Sequence, residues 1–336
     1  MSGAAISSGP AAVQRANLRR SNDVPALIAG ARDGDHRAVA RLISLIENDD
    51  PKLREVAAAL TPYTGKARVI GLTGAPGVGK STTTNELVRA LRAAGKRVGV
   101  LAVDPSSPFT GGAILGDRVR MQDHATDSGV YIRSMSSRGH LGGLSAAAPQ
   151  AVRVLDGAGC DVVLVETVGV GQAEVAVASL ADTVVVLLAP GMGDAIQAVK
   201  AGILEIADVF VVNKADRDGA DATYTDIQGM IALGDRAPGE WRPQVVKASA
   251  ARGQGIDDVV EALDKHESWL VEHDQLRARR EARAAAEVEA IALGVLRGRI
   301  GSLRDGEALP ALAARVAAGD IDPYAAADDL LAGLEP

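Results

Sequence analysis

Residues 74–81 read Gly74-Ala75-Pro76-Gly77-Val78-Gly79-Lys80-Ser81, a full G-x-x-x-x-G-K-[ST] phosphate loop. Ahead of it, Ala67-Arg68-Val69-Ile70-Gly71-Leu72-Thr73 has the apolar character of a buried strand. Behind it, Thr82 to Ala94 is compatible with a helix. A strand that hands over to a glycine-rich loop and then to a helix gathers backbone N–H groups around phosphate oxygens. The positive end of the helix dipole adds to the attraction. Gly74, Ala75, Pro76, Gly77, Val78, Gly79, Lys80, Ser81 and Thr82 are therefore expected to surround a nucleotide's phosphates. Lys80 is expected to reach the β- and γ-phosphates, and the Ser81 hydroxyl to bind Mg²⁺. The loop names a triphosphate but not its base.

Outward from the loop, strand-like and helix-like stretches alternate. Strands are expected at 67–73, 97–103, 130–134, 161–166, 182–189, 208–213 and 243–248. Most are unbroken Val/Ile/Leu runs, as when helices cover both faces of a sheet. Helices are expected at 80–94, 145–156, 194–206, 221–233 and 256–271. The pattern predicts an α/β P-loop NTPase fold with a mostly parallel sheet of about seven strands. Ligands then belong at the carboxyl ends of the strands.

Three segments flank this domain, which spans 65–273. Residues 23–64 form an N-terminal helical extension, with Val24, Leu27, Ile28 and Ala31 on one face and Val39, Leu42, Ile43 and Ile46 on another. Residues 274–336 form a C-terminal helical region whose long helix, Leu276 to Ile300, carries the apolar seam Ala284, Val288, Ile291 and Val295. Such a seam needs a partner surface. Residues 1–22 contain arginine but no Asp or Glu, and read as a disordered tail on a cytosolic protein. A weak transit peptide has the same composition.

Composition narrows the function classes. Net charge is −7 and aromatic content 2%, which argues against a nucleic-acid partner. No uninterrupted apolar run reaches the roughly 18 residues of a membrane span. The one cysteine, Cys160, cannot form an intrachain disulfide, which suits a reducing, cytoplasmic setting. The histidines are scattered, with no Cys/His cluster of metal-ligand spacing.

Asn213-Lys214-Ala215-Asp216 follows the strand Val209-Phe210-Val211-Val212 and names the base. An aspartate there can accept from both N1–H and N2–H₂ of guanine. Adenine lacks that donor pair and would leave the carboxylate desolvated and unpaired. Lys214 is expected against the base, bracing the loop. Ser249-Ala250, after another strand, resembles the Ser-Ala element whose backbone touches guanine O6. The segment from Asp161 to Gly169 reads as a Walker B strand with Glu166-Thr167-Val168-Gly169 in place of the common D-x-x-G. Glu166 is expected to hold Mg²⁺, and the Gly169 N–H to sense the γ-phosphate. Gln172 is the candidate for positioning the attacking water by its proximity to that switch.

Taken with Val103-Asp104-Pro105-Ser106-Ser107-Pro108, the run Gly112 to Met121 and Glu166 to Glu174, these motifs resemble the MeaB/ArgK family over roughly residues 20–330. These are G3E-type P-loop GTPases that act as chaperones of methylmalonyl-CoA mutase. The resemblance implies Asp104 and Asp117 near Mg²⁺, alongside Ser81 and Glu166. It makes Pro190 to Lys200 a mobile loop, switch III, with Asp194 and Lys200 at its polar positions. It implies a homodimer through the C-terminal helices. The mutase, or a related acyl-CoA mutase, would be the partner, with GTP and GDP as substrate and product. The resemblance points to gating of adenosylcobalamin loading and protection of the mutase. Two rival readings are a metallochaperone GTPase of the hydrogenase or urease maturation type and an ArgK-like transport kinase.

Overall fold

The computed structural model describes residues 23–104, 122–124, 126–136, 147–167, 177–191, 204–234, 237, 239–304 and 308–332. The expected tail at 1–22 lies outside them. Among the described residues, seven strands form one sheet: β1 (Arg68–Thr73), β2 (Val98–Asp104), β3 (Val130–Ser136), β4 (Val162–Thr167), β5 (Thr183–Leu188), β6 (Val209–Val212) and β7 (Gln244–Lys247). Their order is β3-β2-β4-β1-β5-β6-β7, and every pairing is parallel. The expected parallel α/β sheet is thus present.

Helices cover both faces, which is why the strands carry apolar residues in unbroken runs. Successive side chains point to opposite faces. Val69, Leu101, Val163 and Val165 therefore join one core, while Ile70, Leu72, Val100 and Leu164 join the other. The second core is closed by α4 (Lys80–Ala93) and α7 (Ile256–Glu272). The first is closed by α5 (Ala148–Gly157), α6 (Ala220–Leu233) and the three N-terminal helices, α1 (Val24–Arg32), α2 (His36–Glu47) and α3 (Leu53–Leu60). The N-terminal extension thus shares the core of the sheet. Leu27, Leu42 and Ile43 are among the most completely buried large side chains. Of the helix expected at 194–206, the described part is the turn Leu204–Ile206.

The amino ends of the strands are tied by aspartates. Asp161, Asp182 and Asp208 each stand one residue before a strand. Each accepts a neighbouring backbone N–H: Arg97 at 2.7 Å, Val69 at 3.0 Å and Val184 at 2.8 Å. Asp156, at the end of α5, accepts from Gly65 (2.5 Å) and Ala67 (2.9 Å), fixing the approach to β1. His266 of α7 is fully buried between Thr183 Oγ1 (2.9 Å) and Asp208 Oδ1 (3.2 Å). All of these groups sit at the end of the sheet opposite the phosphate loop.

The chain divides into two compact units, the first through Leu276 and the second from Arg277. Most of α8 (Gln275–Arg304), with α9 (Ala308–Ala318) and α10 (Pro323–Ala332), lies in the second. Asp322 caps α10 by accepting from the Tyr324 and Ala325 amides at 2.9 and 3.1 Å. Val288, Ile291, Val295 and Leu296 of α8 are exposed. No described helix is long and apolar enough to cross a membrane.

Candidate nucleotide site

β1 is central in the sheet. The chain crosses to β2 on one side and later to β5 on the other, so β1 and its neighbours end at one carboxyl edge. The phosphate loop leaves β1 at that edge and enters α4 at Lys80. Its backbone demands glycine. Gly74 has φ +136°, and a Cβ there would stand 2.3 Å from the Leu187 carbonyl oxygen. Gly79 has φ +98°, and a Cβ there would strike Asn213 Nδ2 at 2.4 Å. Lys80 is buried, and its ammonium donates to the carbonyls of Gly74 (2.6 Å) and Ala75 (3.0 Å). Thr82 is exposed at the start of α4.

Three loops are stitched together by Asn213. Its Nδ2 donates to the Val78 carbonyl at 2.8 Å, and its Oδ1 accepts from the Ala250 amide at 3.1 Å. One buried side chain at the end of β6 therefore joins the phosphate loop to the Ser249-Ala250 turn beyond β7. Lys214, at φ +58°, donates from its ammonium to the Gly77 carbonyl at 2.6 Å. The Ala215 amide donates to the Ala248 carbonyl at 3.0 Å. The Ala250 amide, part of the Ser-Ala element whose backbone is expected to touch guanine O6, donates to the Asn213 amide oxygen in this clasp.

Asp216 is held at both oxygens. Ser249 Oγ donates to Oδ1 at 2.5 Å, and the Arg252 guanidinium lies 3.1 Å from Oδ2. The Ser249 hydroxyl first, then the residue's own backbone amide, and more weakly Arg252 and Arg217, hold this carboxyl below its ordinary range. Arg252 is a residue that sequence reasoning missed. Its signal was its place in the turn after Ser249-Ala250, three residues past Ser249, where a cation can face the loop of Asp216.

β4 lies beside β1, in register at Leu72 and Glu166. This puts buried Glu166 against the start of α4, where Ser81 Oγ donates to Glu166 Oε1 at 2.5 Å. Next door, Thr167 Oγ1 and Thr73 Oγ1 are 3.2 Å apart and fully buried, tying the two strand ends together. Asp104 ends β2, whose residue Val103 pairs with Thr167. Asp117, Gly169, Gln172, Asp194 and Lys200 lie outside the described residues.

A family model described as methylmalonyl-CoA mutase-associated GTPase MeaB matches residues 39–302. The chain belongs to the MeaB family. It is accordingly a P-loop GTPase that takes GTP and GDP. Among MeaB-like relatives, it is 48% identical over 308 residues to a putative GTPase of Pyrococcus abyssi, covering 91% of this chain and 95% of the relative. It is 38% identical over 257 residues to the GTPase ArgK of Escherichia coli, covering 73% and 76%. It is 34% identical over 326 residues to the methylmalonic aciduria type A homolog, mitochondrial, of Mus musculus, covering 92% and 79%. Among solved structures, a LAO/AO transport system kinase superposes with a TM-score of 0.69 at 26% identity, covering 92% of this chain and 97% of that one.

Proposed function

We propose that this MeaB-family GTPase is a nucleotide-dependent chaperone of an adenosylcobalamin-dependent methylmalonyl-CoA mutase, or of a related acyl-CoA mutase. It would gate cofactor loading and protect the mutase. The family match over 39–302 carries the reading. The clasp supports it, because one residue, Asn213, links the loops expected at the phosphates and at the base.

The residues present fit a Mg²⁺ ion. A serine hydroxyl and a carboxylate oxygen converge within 2.5 Å at the start of α4, and both are hard oxygen donors. When bound, the ion would neutralise charge on the phosphate oxygens. Ser81 and Glu166 would hold it, with Asp104 and Asp117 contributing nearby. Lys80 would turn from the Gly74 and Ala75 carbonyls to the β- and γ-phosphates. Its charge would offset that developing on the transferred group, so catalysis is positioning and electrostatics. Asp216 would accept from guanine N1–H and N2–H₂. Gln172 is our candidate for orienting the water, and Gly169 for sensing the γ-phosphate. Asp194 and Lys200 would pass the nucleotide state to the partner.

The exposed seam Val288, Ile291 and Val295 suits a homodimer, which sedimentation would reveal as concentration-dependent mass. We place the protein in the cytoplasm. The decisive experiment is capture of purified mutase on this protein loaded with GDP or with a non-hydrolysable GTP analogue. Binding and mutase activity should differ between the two states, and equality would remove the chaperone reading. The likeness to a LAO/AO transport system kinase favours one rival, phosphoryl transfer to a periplasmic-type binding protein. A labelled binding protein after incubation with radioactive GTP would favour that rival instead.

A further inference from the structure

We propose that Arg252 is a positioning residue for guanine recognition. It holds the Asp216 carboxylate by Oδ2 while Ser249 holds Oδ1, so that the carboxylate plane is set before the base arrives. This rests on the reading of Asp216 as the guanine acceptor.

An ionised carboxylate has about four lone-pair sites. Ser249 Oγ takes one at 2.5 Å and Arg252 one at 3.1 Å, on different oxygens. Neither tether exhausts its oxygen, and guanine brings two parallel donors, N1–H and N2–H₂. A carboxylate tethered only at Oδ1 swings about its last torsion, which is soft for aspartate. Attachment at both oxygens fixes the plane, and the plane decides whether both guanine bonds form together.

Arg252 is itself set in place. It ends the tight turn Ala250–Arg252, where its amide donates to the Ser249 carbonyl at 2.8 Å. The Ser249 amide donates to the Gln254 carbonyl at 2.9 Å and closes the loop. Gly255, at φ +73°, lets the chain pass the Lys247 carbonyl, which a Cβ would meet at 2.4 Å. The loop geometry therefore delivers the guanidinium to Asp216. The arginine is 60% exposed and the Asp216 side chain 23% exposed, so the pair meets solvent and salt.

The test compares GDP with inosine diphosphate, whose base keeps N1–H but lacks the 2-amino group. Losing the second tether should harm the two-bond ligand more than the one-bond ligand. For Arg252→Met, which keeps the alkyl chain, the preference for GDP over inosine diphosphate should fall about two- to fivefold at low salt, the range of an exposed ion pair. Raising salt should narrow the gap between variant and parent. Arg252→Lys should recover part of the preference. The thermal midpoint should be unchanged, which separates positioning from folding. An unchanged preference overturns the inference, as does tighter GDP binding by Arg252→Met, because the arginine would then compete with the base. Asp216→Asn, titrated with GDP and xanthosine diphosphate, tests the underlying reading separately. If that variant still prefers GDP, the guanine role of Asp216 fails. If it shifts to the xanthine ligand while Arg252→Met leaves the preference intact, the positioning role alone fails.

Discussion

Replacing Asn213 by alanine should both loosen the fold and uncouple the two halves of the proposed nucleotide site. The side chain is buried and satisfies two groups from different loops, the Val78 carbonyl at 2.8 Å and the Ala250 amide at 3.1 Å. Val78 and Ala250 are themselves buried, so water does not readily replace the lost partner. An unsatisfied buried polar group costs about 1–3 kcal/mol, and partial relaxation brings the pair to about 2–4 kcal/mol. In a domain of this size each kcal/mol shifts the thermal midpoint by about 2–4 °C, so the midpoint should fall by about 4–16 °C. Adding GDP at a hundredfold over its Kd stabilises the parent by about 2.7 kcal/mol. The variant should show a smaller GDP-induced shift, because its phosphate loop and base loop no longer hold each other. Asn213→Asp sharpens the test. It keeps an acceptor for the Ala250 amide but sets a carboxylate oxygen against the Val78 carbonyl, and should be at least as damaging as alanine. Thermal unfolding with and without GDP reads all of this. A parent-like midpoint and GDP shift in Asn213→Ala would refute the clasp.

Other outcomes follow from the same geometry. Glu166→Gln keeps an acceptor for Ser81 but loses the charge, and the Mg²⁺ concentration for half-maximal GTP hydrolysis should rise about 10–100-fold; an unchanged titration would discard the metal assignment. Gly74→Ala meets the Leu187 carbonyl, and strain of about 1–3 kcal/mol should lower GDP affinity about ten- to hundredfold by calorimetry. Burial pushes the Cys160 thiol up to about 12, so alkylation at pH 8 should proceed only after denaturation; rapid labelling of the native protein would contradict its place in the core. The Arg92 guanidinium, and next the Gly129 amide, hold the Asp127 carboxyl below its usual range. A depressed folded-state value adds stability above the ordinary carboxylate pKa, and that stability is lost as pH falls through the folded value. Urea midpoints should therefore drop less from neutral to acid pH in Asp127→Asn than in the parent.

The fold was legible because its signals are local. Most strands are rich in β-branched and aliphatic residues, and all seven appear within a residue or two of where the sequence pattern places them. The sheet's parallel character follows from the alternation of strand and helix. Its strand order does not, because nothing in the run Val162 to Thr167 says that β4 lies between β2 and β1. Nor does the amphipathic pattern of residues 24–46 reveal that these helices close the same core as Leu101 and Val165. That surface is complementary only once the sheet exists.

The site divides in the same way. The glycine spacing, Lys80-Ser81 and Asn213 to Asp216 could be read from the chain, since each motif fixes its own local backbone and brings its own chemistry. Sequence alone thus determined a phosphate loop, a guanine-type loop and a departure at Glu166 from the common switch. Only the tertiary structure joined them. Parallel pairing of β1 with β4 set Glu166 against Ser81, 85 positions away along the chain. Asn213 reached 135 positions back to Val78 and 37 forward to Ala250. Arg252 met Asp216 because β6 and β7 run side by side and end together. A motif specifies what a residue can bond to, but which partner comes within 3 Å depends on how the strands are ordered in the sheet.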